Sequence, residues 1–503
     1  MSSKEKRYII TFKESHVPTQ QVQEILGLTD RNYEEGVNFL SSDKEPQVDD
    51  VLSFEKLGIA SLTLSSTEVT KLKKNKEILA VEEDVEMTVL EVEELETEET
   101  DFDFYDEFDE MDESYELLDY QKIIDSNDFN ELNRLDIDPY ADTFEPEEYE
   151  EQYQRGAEET MRFVLKSLIK ETALESESTP QEFQNAAYPR YPIKKYPFPR
   201  YRFPRPRIPW PVPFLQPIPW NIKMVKAPFA WRRGLTGKGV KVAVLDTGIA
   251  SHPDLTIKGG VSFIPGVTSY NDGHSHGTHC AGIIAARNNF YGVVGVAPYA
   301  SLYAVKVLND SGSGYSSWII AGMDWCVKNN IDIASMSLGG TNPPMVAYAH
   351  AVRRCQSANV TVVVATGNSF GSSFPWVCSP ANSIISGVPS ASPIAVGSID
   401  KYLRIANSSS RGGQTNLWNQ VDVVAPGVSV KSTILNNRYG LKSGTSMACP
   451  HVAGAAALVK QRFGGITPLQ IKAKLQRTAT DLGRRGNDIT FGMGLINCER
   501  ATR

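Results

Sequence analysis

Apolar and polar positions divide the 503-residue chain into contrasting stretches. Near the start, residues 7–13, 59–64 and 78–83 alternate as strands do, and residues 17–26 and 67–74 between them read as helices. That order predicts a small ferredoxin-like β-α-β-β-α-β unit over residues 1–90, with one central strand giving no clear signal of its own. Further on, the mostly apolar run 241–245 is too continuous for a half-exposed strand and predicts a buried parallel strand that ends at Asp246. Small-residue runs at 280–286 and 452–459 predict closely packed helices, the second carrying Pro450 in its first turn, where a missing N–H is harmless.

Between these ends the pattern changes. Residues 91–187 are acidic with scattered aromatics, and within them Met161, Val164, Leu165, Leu168 and Ile169 have the spacing of an amphipathic helix. The acidic part reads either as a solvated linker or as an intramolecular partner for a basic stretch. Residues 188–214 are rich in Pro, Arg and aromatics, which excludes helix and predicts an extended arm, read as a stiff linker, a ligand for an SH3-like partner or an arm lying on the last domain. The last domain is expected over residues 215–503.

Charge and cysteine usage narrow the class. The net charge of −10 argues against a nucleic-acid partner. No apolar run reaches the length of a membrane-spanning helix. Residues 1–7 are followed by no long apolar segment, so no secretory signal is expected, and a cytoplasmic or non-classically exported protein is. The six cysteines form no C-x-x-C pair and are expected to be reduced and mostly buried.

Four short blocks carry chemistry: Asp246-Thr247-Gly248, His276-Gly277-Thr278-His279, Ala365-Thr366-Gly367-Asn368 and Gly444-Thr445-Ser446-Met447-Ala448. Serine needs a base to become a nucleophile, imidazole titrates near neutrality, and a buried carboxylate holds the ring in one tautomer. Ser446 is therefore the candidate nucleophile, His276 the base and Asp246 its orienter. The Asn368 side chain and the Ser446 N–H are the expected oxyanion donors. Chain order Asp, His, Ser excludes the α/β-hydrolase arrangement. The same His-rich segment could be read as a zinc cluster using His276 and Cys280, but the Asp246 and Ser446 blocks account for it better. His279 is expected to be structural.

These blocks, with Gly292-Val293-Val294-Gly295-Val296-Ala297-Pro298, Leu302-Tyr303-Ala304-Val305-Lys306-Val307-Leu308 and Met336-Ser337-Leu338-Gly339-Gly340, resemble the subtilisin-like serine proteases, or subtilases, over roughly residues 216–501. The resemblance implies an α/β fold, a parallel-sheet three-layer catalytic domain, with endopeptidase activity on peptide or protein substrates. It implies that substrate pairs as a strand with Gly312, Ser313 and Gly314 on one side and Ser337, Leu338 and Gly339 on the other, with Gly387 at the base of the S1 pocket and a large apolar P1. It implies a Ca²⁺ site with side chains of Gln216, Asp254 and Asn289 and backbone carbonyls of Arg287, Tyr291 and Val293. Oxygen donors with one carboxylate suit that ion.

Residues 1–90 resemble the inhibitory propeptide of the same family, most clearly at Val81-Glu82-Glu83-Asp84. The resemblance implies an intramolecular inhibitor whose tail, Met87 to Leu90, enters the cleft. Cuts are expected at Leu90–Glu91 and at Phe214–Leu215, about 124 residues apart (214 − 90). Two other readings stay open: a protease dedicated to maturing one precursor peptide inside the cell, and a non-catalytic binding protein on a protease scaffold.

Overall fold

A computed structural model describes residues 5–90, 216–340, 344–383, 392–413 and 420–503. The acidic and Pro-rich stretches, the helix expected within 157–173, the bond Phe214–Leu215 and Gly387 lie outside the described residues.

The N-terminal unit runs β1 (Lys6–Phe12), α1 (Thr19–Leu26), β2 (Asn32–Glu35), α2 (Gly36–Leu40), β3 (Asp50–Phe54), β4 (Ile59–Leu64), α3 (Ser66–Leu72) and β5 (Ile78–Glu83). Its five-stranded sheet has the order β2-β3-β4-β1-β5. The four strands β3, β4, β1 and β5 are antiparallel neighbours, as the β-α-β-β-α-β reading requires, and β2 adds a parallel edge beside β3. The strand without a sequence signal is β3: all five of its residues are buried, so it lacks the alternation that marks a one-faced strand. Helix α3 is fixed at its start by a capping box, with Ser65 Oγ accepting from Glu68 N and the Glu68 carboxylate accepting from Ser65 N.

After β6 (Glu86–Val89), the description resumes with α4 (Trp220–Met224) and α5 (Ala227–Trp231). Then follow β7 (Lys241–Asp246), β8 (Ile257–Ser262), α6 (His276–Ala285), β9 (Ser301–Lys306), β10 (Ser313–Tyr315), α7 (Ser316–Lys328), β11 (Ile333–Met336) and β12 (Leu338–Gly339). The chain ends with α8 (Val346–Ser357), β13 (Thr361–Ala365), β14 (Ile394–Ile399), β15 (Val423–Pro426), β16 (Val430–Ile434), β17 (Arg438–Lys442), α9 (Thr445–Phe463), α10 (Pro468–Thr478) and α11 (Cys498–Ala501).

Seven strands form one sheet in the order β15-β14-β13-β11-β7-β9-β8, and all six neighbouring pairs are parallel. Strand β7 is central, and its last five residues are buried, as its continuous apolar sequence predicts. Helices α6 and α9 pack on each other and α9 also covers β11, β13 and β14, while α7 packs on β7 and α8 on β13. This is the expected three-layer α/β arrangement. Small residues let neighbouring segments approach both helices closely: a Cβ on Gly454 of α9 would lie 2.6 Å from Val296 Cβ, and one on Gly282 of α6 would lie 2.3 Å from Ser432 Oγ.

The expectation about Pro450 needs correction. Helix α9 starts at Thr445, so Pro450 is its sixth residue and lies beyond the first turn. Its missing N–H would have bonded the carbonyl four residues back, which is that of Ser446. That carbonyl instead accepts from Ser337 Oγ at 2.8 Å and from Cys280 Sγ at 3.5 Å.

Candidate active site

The four blocks meet at the C-terminal edge of the seven-stranded sheet, where open α/β sheets place ligands. Asp246 closes β7, His276 opens α6, Ser446 is the second residue of α9, and Asn368 lies three residues past β13. Asp246, His276 and Ser446 are fully buried. His276 Nδ1 lies 2.7 Å from Asp246 Oδ1, and the same oxygen accepts from Thr247 N at 2.7 Å. The Ser446 hydroxyl donates to Ser337 O at 3.0 Å. Asn368 Oδ1 accepts from Thr445 N at 2.9 Å and from Thr445 Oγ1 at 3.1 Å. Those two bonds fix the amide so that its Nδ2 faces the cleft.

The cleft holds the chain's own segment. Strand β6 lies between β10 and β12 in an antiparallel three-stranded sheet. Ser313 faces Thr88, Gly314 faces Met87, Leu338 faces Val89 and Gly339 faces Thr88. Val89 N donates to Gly312 O at 2.9 Å, and Leu90 N approaches Ser337 O at 3.5 Å. Gly312 has φ +78, a conformation open to glycine at no steric cost. Leu90 O accepts from Asn368 Nδ2 at 2.6 Å and from Ser446 N at 3.3 Å. The Leu90 side chain is buried over Gly339: a Cβ there would come within 2.9 Å of both Leu90 Cδ1 and Ser379 O. So all six expected strand-pairing residues line one bound segment. Gly339 lies against the Leu90 side chain, with Ser379 and Cys378 next to Gly339; the sequence marks Gly339 only for backbone pairing, not as a wall beside a side chain.

The N-terminal unit reaches the same domain through helix N-termini, where unpaired N–H groups favour carboxylates. Glu82 accepts from Val346 N and Ala347 N, each at 2.9 Å, at the start of α8, and Asp84 Oδ1 accepts from Ser317 N at 2.9 Å near the start of α7. Burial raises the Asp84 pKa, and the Ser317 hydrogen bonds oppose that rise. Lys328 pairs with Asp324 at 3.0 Å and with Glu35 across the contact.

Two histidines behind the site are neutral. Burial depresses His279 to about 3, with Lys442 adding to the effect, and its Nε2 lies 2.9 Å from Val430 O. Burial depresses His451 to about 4; its Nδ1 lies 2.8 Å from Met447 O and its Nε2 2.7 Å from Asn221 Nδ2. Asp246, His276 and Cys280 offer a carboxylate, an imidazole and a thiol within 4.8 Å of one another. The hydrogen bonds of Asp246 to His276 and of Cys280 to the Ser446 carbonyl already explain that proximity. All six cysteines are buried, and none is in a disulfide.

The residues expected to hold calcium also converge. Gln216 Oε1 accepts from Asn289 N at 2.9 Å, while its Nε2 faces the Arg287 and Val293 carbonyls. Asp254 accepts from Asn289 Nδ2 at 3.0 Å, Val293 N at 2.9 Å and Tyr439 Oη at 3.1 Å. Burial raises the Asp254 pKa, against the hydrogen bonds from Val293, Tyr439 and Asn289 that lower it.

A parallel α/β sheet carrying Asp, His, Ser and Asn at its C-terminal edge, beside a strand-binding cleft, defines a serine endopeptidase of the subtilisin type. Residues 237–494 match the subtilase family model. The chain is 49% identical over 288 residues to subtilisin Savinase of Lederbergia lenta, covering 57% of this chain and 100% of that protein. It is 49% identical over 288 residues to an alkaline protease of Shouchella clausii, covering 57% of this chain and 70% of that protein. Against subtilisin E of Bacillus subtilis (strain 168) the identity is 46% over 294 residues, 58% of this chain and 72% of that protein. The chain belongs to the subtilase family and is a subtilisin-like serine endopeptidase. No helix among the described residues is long and apolar enough to cross a membrane.

Proposed function

We propose that the chain is a self-inhibited precursor in which residues 1–90 occupy, and are cut from, the active site of the peptidase domain at 215–503. The observation that carries this reading is the Leu90 carbonyl, held between Asn368 Nδ2 and Ser446 N. Those are the two donors that must face an oxyanion formed on the carbonyl of a P1 residue.

In the proposed reaction His276 takes the Ser446 proton and Ser446 Oγ attacks the P1 carbonyl carbon. Asp246 holds the ring and stabilises the imidazolium. Asn368 and the Ser446 N–H take the negative charge of the tetrahedral intermediate. His276 then protonates the leaving amine, and water repeats the cycle on the acyl-enzyme. Met87, Thr88, Val89 and Leu90 stand in for P4 to P1 of a substrate. The wall at Gly339 leaves room for a large apolar P1. After the first cut the Leu90 carboxylate remains as a product-like inhibitor. The 1–90 unit is then held by its non-covalent contacts alone, while the insert 91–214 stays joined to the peptidase domain until a second cut near Phe214–Leu215 frees Gln216. Labelling with a fluorophosphonate after residues 1–90 have been removed, with the labelled residue located by peptide mapping and the new N-terminus by sequencing, tests the assignment. Labelling at another residue, or none, refutes it.

Ca²⁺ fits the cradle around Gln216. The donor set is all oxygen: one buried carboxylate from Asp254, the amides of Gln216 and Asn289, and the carbonyls of Arg287, Tyr291 and Val293. Turning the Gln216 amide about its last torsion exchanges its nitrogen for an oxygen donor. The ion would cross-link the start of the peptidase domain to the loop after α6 and supply stability to the fold.

A further inference from the structure

Asp272 is a carboxylate that the catalytic reading leaves without a role. It is 1% exposed and, among the described residues, takes part in no salt bridge. Its Oδ1 accepts from Thr247 Oγ1 at 2.9 Å, His274 N at 2.8 Å and Ser275 N at 3.0 Å. Its Oδ2 accepts from Thr278 N at 2.9 Å and Thr278 Oγ1 at 2.6 Å. Five donors on one buried carboxylate compensate its desolvation without a counter-ion.

The donors come from both sides of the catalytic pair. Thr247 follows Asp246, whereas His274, Ser275 and Thr278 flank His276. Thr247 Oγ1 also accepts from Gly277 N at 3.0 Å, so a chain runs from Gly277 N–H through the Thr247 hydroxyl to Asp272. The residue after Asp246 is thereby tied to the residue after His276, parallel to the 2.7 Å bond between Asp246 and His276 themselves. Asp272 also holds the turn that carries Ser275 at φ 86, a conformation uncommon for a non-glycine residue. The approach is tight, for a Cβ on Gly277 would sit 2.1 Å from Gly248 O and 3.2 Å from Asp246 Oδ1.

We infer that Asp272 is a positioning residue for the hydrolytic reaction, acting through the Thr247 hydroxyl to fix His276 against Asp246. A resting hydrogen bond tolerates small displacements that proton transfer does not, since a misplacement of about 1 Å costs on the order of a hundredfold in rate. The charge of Asp272 acts in the same direction as that of Asp246, favouring the imidazolium formed during catalysis. Other titratable groups beside this network are the His274 ring, 6.2 Å from that of His276, Asp310, which accepts from Gly273 N at 3.2 Å, and Lys306, which bonds Asp310 at 2.7 Å and also the Thr247 carbonyl.

This inference rests on the proposed roles of Asp246, His276 and Ser446. The test uses the full chain and its variants, with active sites counted by fluorophosphonate and peptide hydrolysis expressed per titrated site. Asp272→Asn should lower kcat by about ten- to a hundredfold at nearly unchanged KM. It should also move the acid limb of the kcat/KM profile down by a few tenths of a pH unit, because a negative charge near His276 is lost. Thr247→Val should give a similar kcat loss, Thr247→Ser should recover most of it, and the double variant of Asp272→Asn with Thr247→Val should lose less than the product of the two single losses. If Asp272→Asn does not accumulate, the Thr247 pair decides. Equal kcat in Thr247→Val and Thr247→Ser, or a raised KM with kcat intact, overturns the inference. Failure of wild type to be labelled at Ser446 would instead refute the catalytic reading on which it stands.

Discussion

The Leu90 carbonyl oxygen accepts a 2.6 Å hydrogen bond from Asn368 Nδ2. It links the last described residue of the N-terminal unit to the donor expected to stabilise an oxyanion. That contact sets the register of the whole cleft, with Met87 and Leu90 both buried in it.

The wall beside Leu90 sets the first prediction. Gly339→Val places branched methyls where even a Cβ would be 2.9 Å from Leu90 Cδ1. Hydrolysis of peptides with Leu at P1 should fall by about tenfold or more, with peptides carrying Ala at P1 much less affected, because overpacking costs about 1–3 kcal/mol. Equal effects on both peptide series would refute the pocket assignment.

The second concerns the inhibitor contact. Carboxylates at helix N-termini contribute about 0.3–1 kcal/mol each, and up to about 2 kcal/mol where partly buried. Combining Glu82→Ala with Asp84→Ala in an added 1–90 fragment should raise its inhibition constant against the mature enzyme by about tenfold. An unchanged constant means that these caps do not hold the unit in place.

The third concerns calcium. Binding to the folded state alone adds roughly 2.7 kcal/mol at a hundredfold excess over Kd. Thermal unfolding of the Ser446→Ala chain should rise with Ca²⁺, and Asp254→Ala or Gln216→Ala should remove most of that gain. Identical melting with Ca²⁺ and with chelator would exclude the site.

The fourth concerns acid. His279 titrates near 6.5 when unfolded and at about 3 when folded. Below pH 6.5 the unfolded chain takes a proton that the folded chain refuses, so stability is lost as pH falls from about 6.5 towards 3. At pH 5 this amounts to about 2 kcal/mol. In the Ser446→Ala background, His279→Gln should flatten the decline in melting temperature between pH 7 and 5. An unaltered slope would contradict a neutral buried His279.

The four residues that the structure brings together at the candidate site were legible in the sequence because each sits in a short local block near the end of a strand or the start of a helix. The pairing edges at Gly312 to Gly314 and Ser337 to Gly339 followed from family resemblance, since backbone pairing leaves little side-chain signature. Asp272 was not legible: an aspartate within Asn271-Asp272-Gly273 reads as an ordinary turn residue, and its link to Thr247 spans 25 positions. Strand β3 was hidden because burial of all five residues erases the alternation. Pro450 was misplaced because the helix begins at Thr445, directly after Gly444 at φ 142, rather than at the apolar run that follows.

The most direct test is intact-mass analysis of the freshly made full-length chain beside its Ser446→Ala variant. Wild type should release a fragment ending at Leu90, at a rate independent of protein concentration, and Ser446→Ala should remain whole, because loss of the nucleophile costs several orders of magnitude in rate. Cleavage after Leu90 in the Ser446→Ala chain, or a wild-type chain that hydrolyses peptides while its Leu90–Glu91 bond stays intact, would contradict the account.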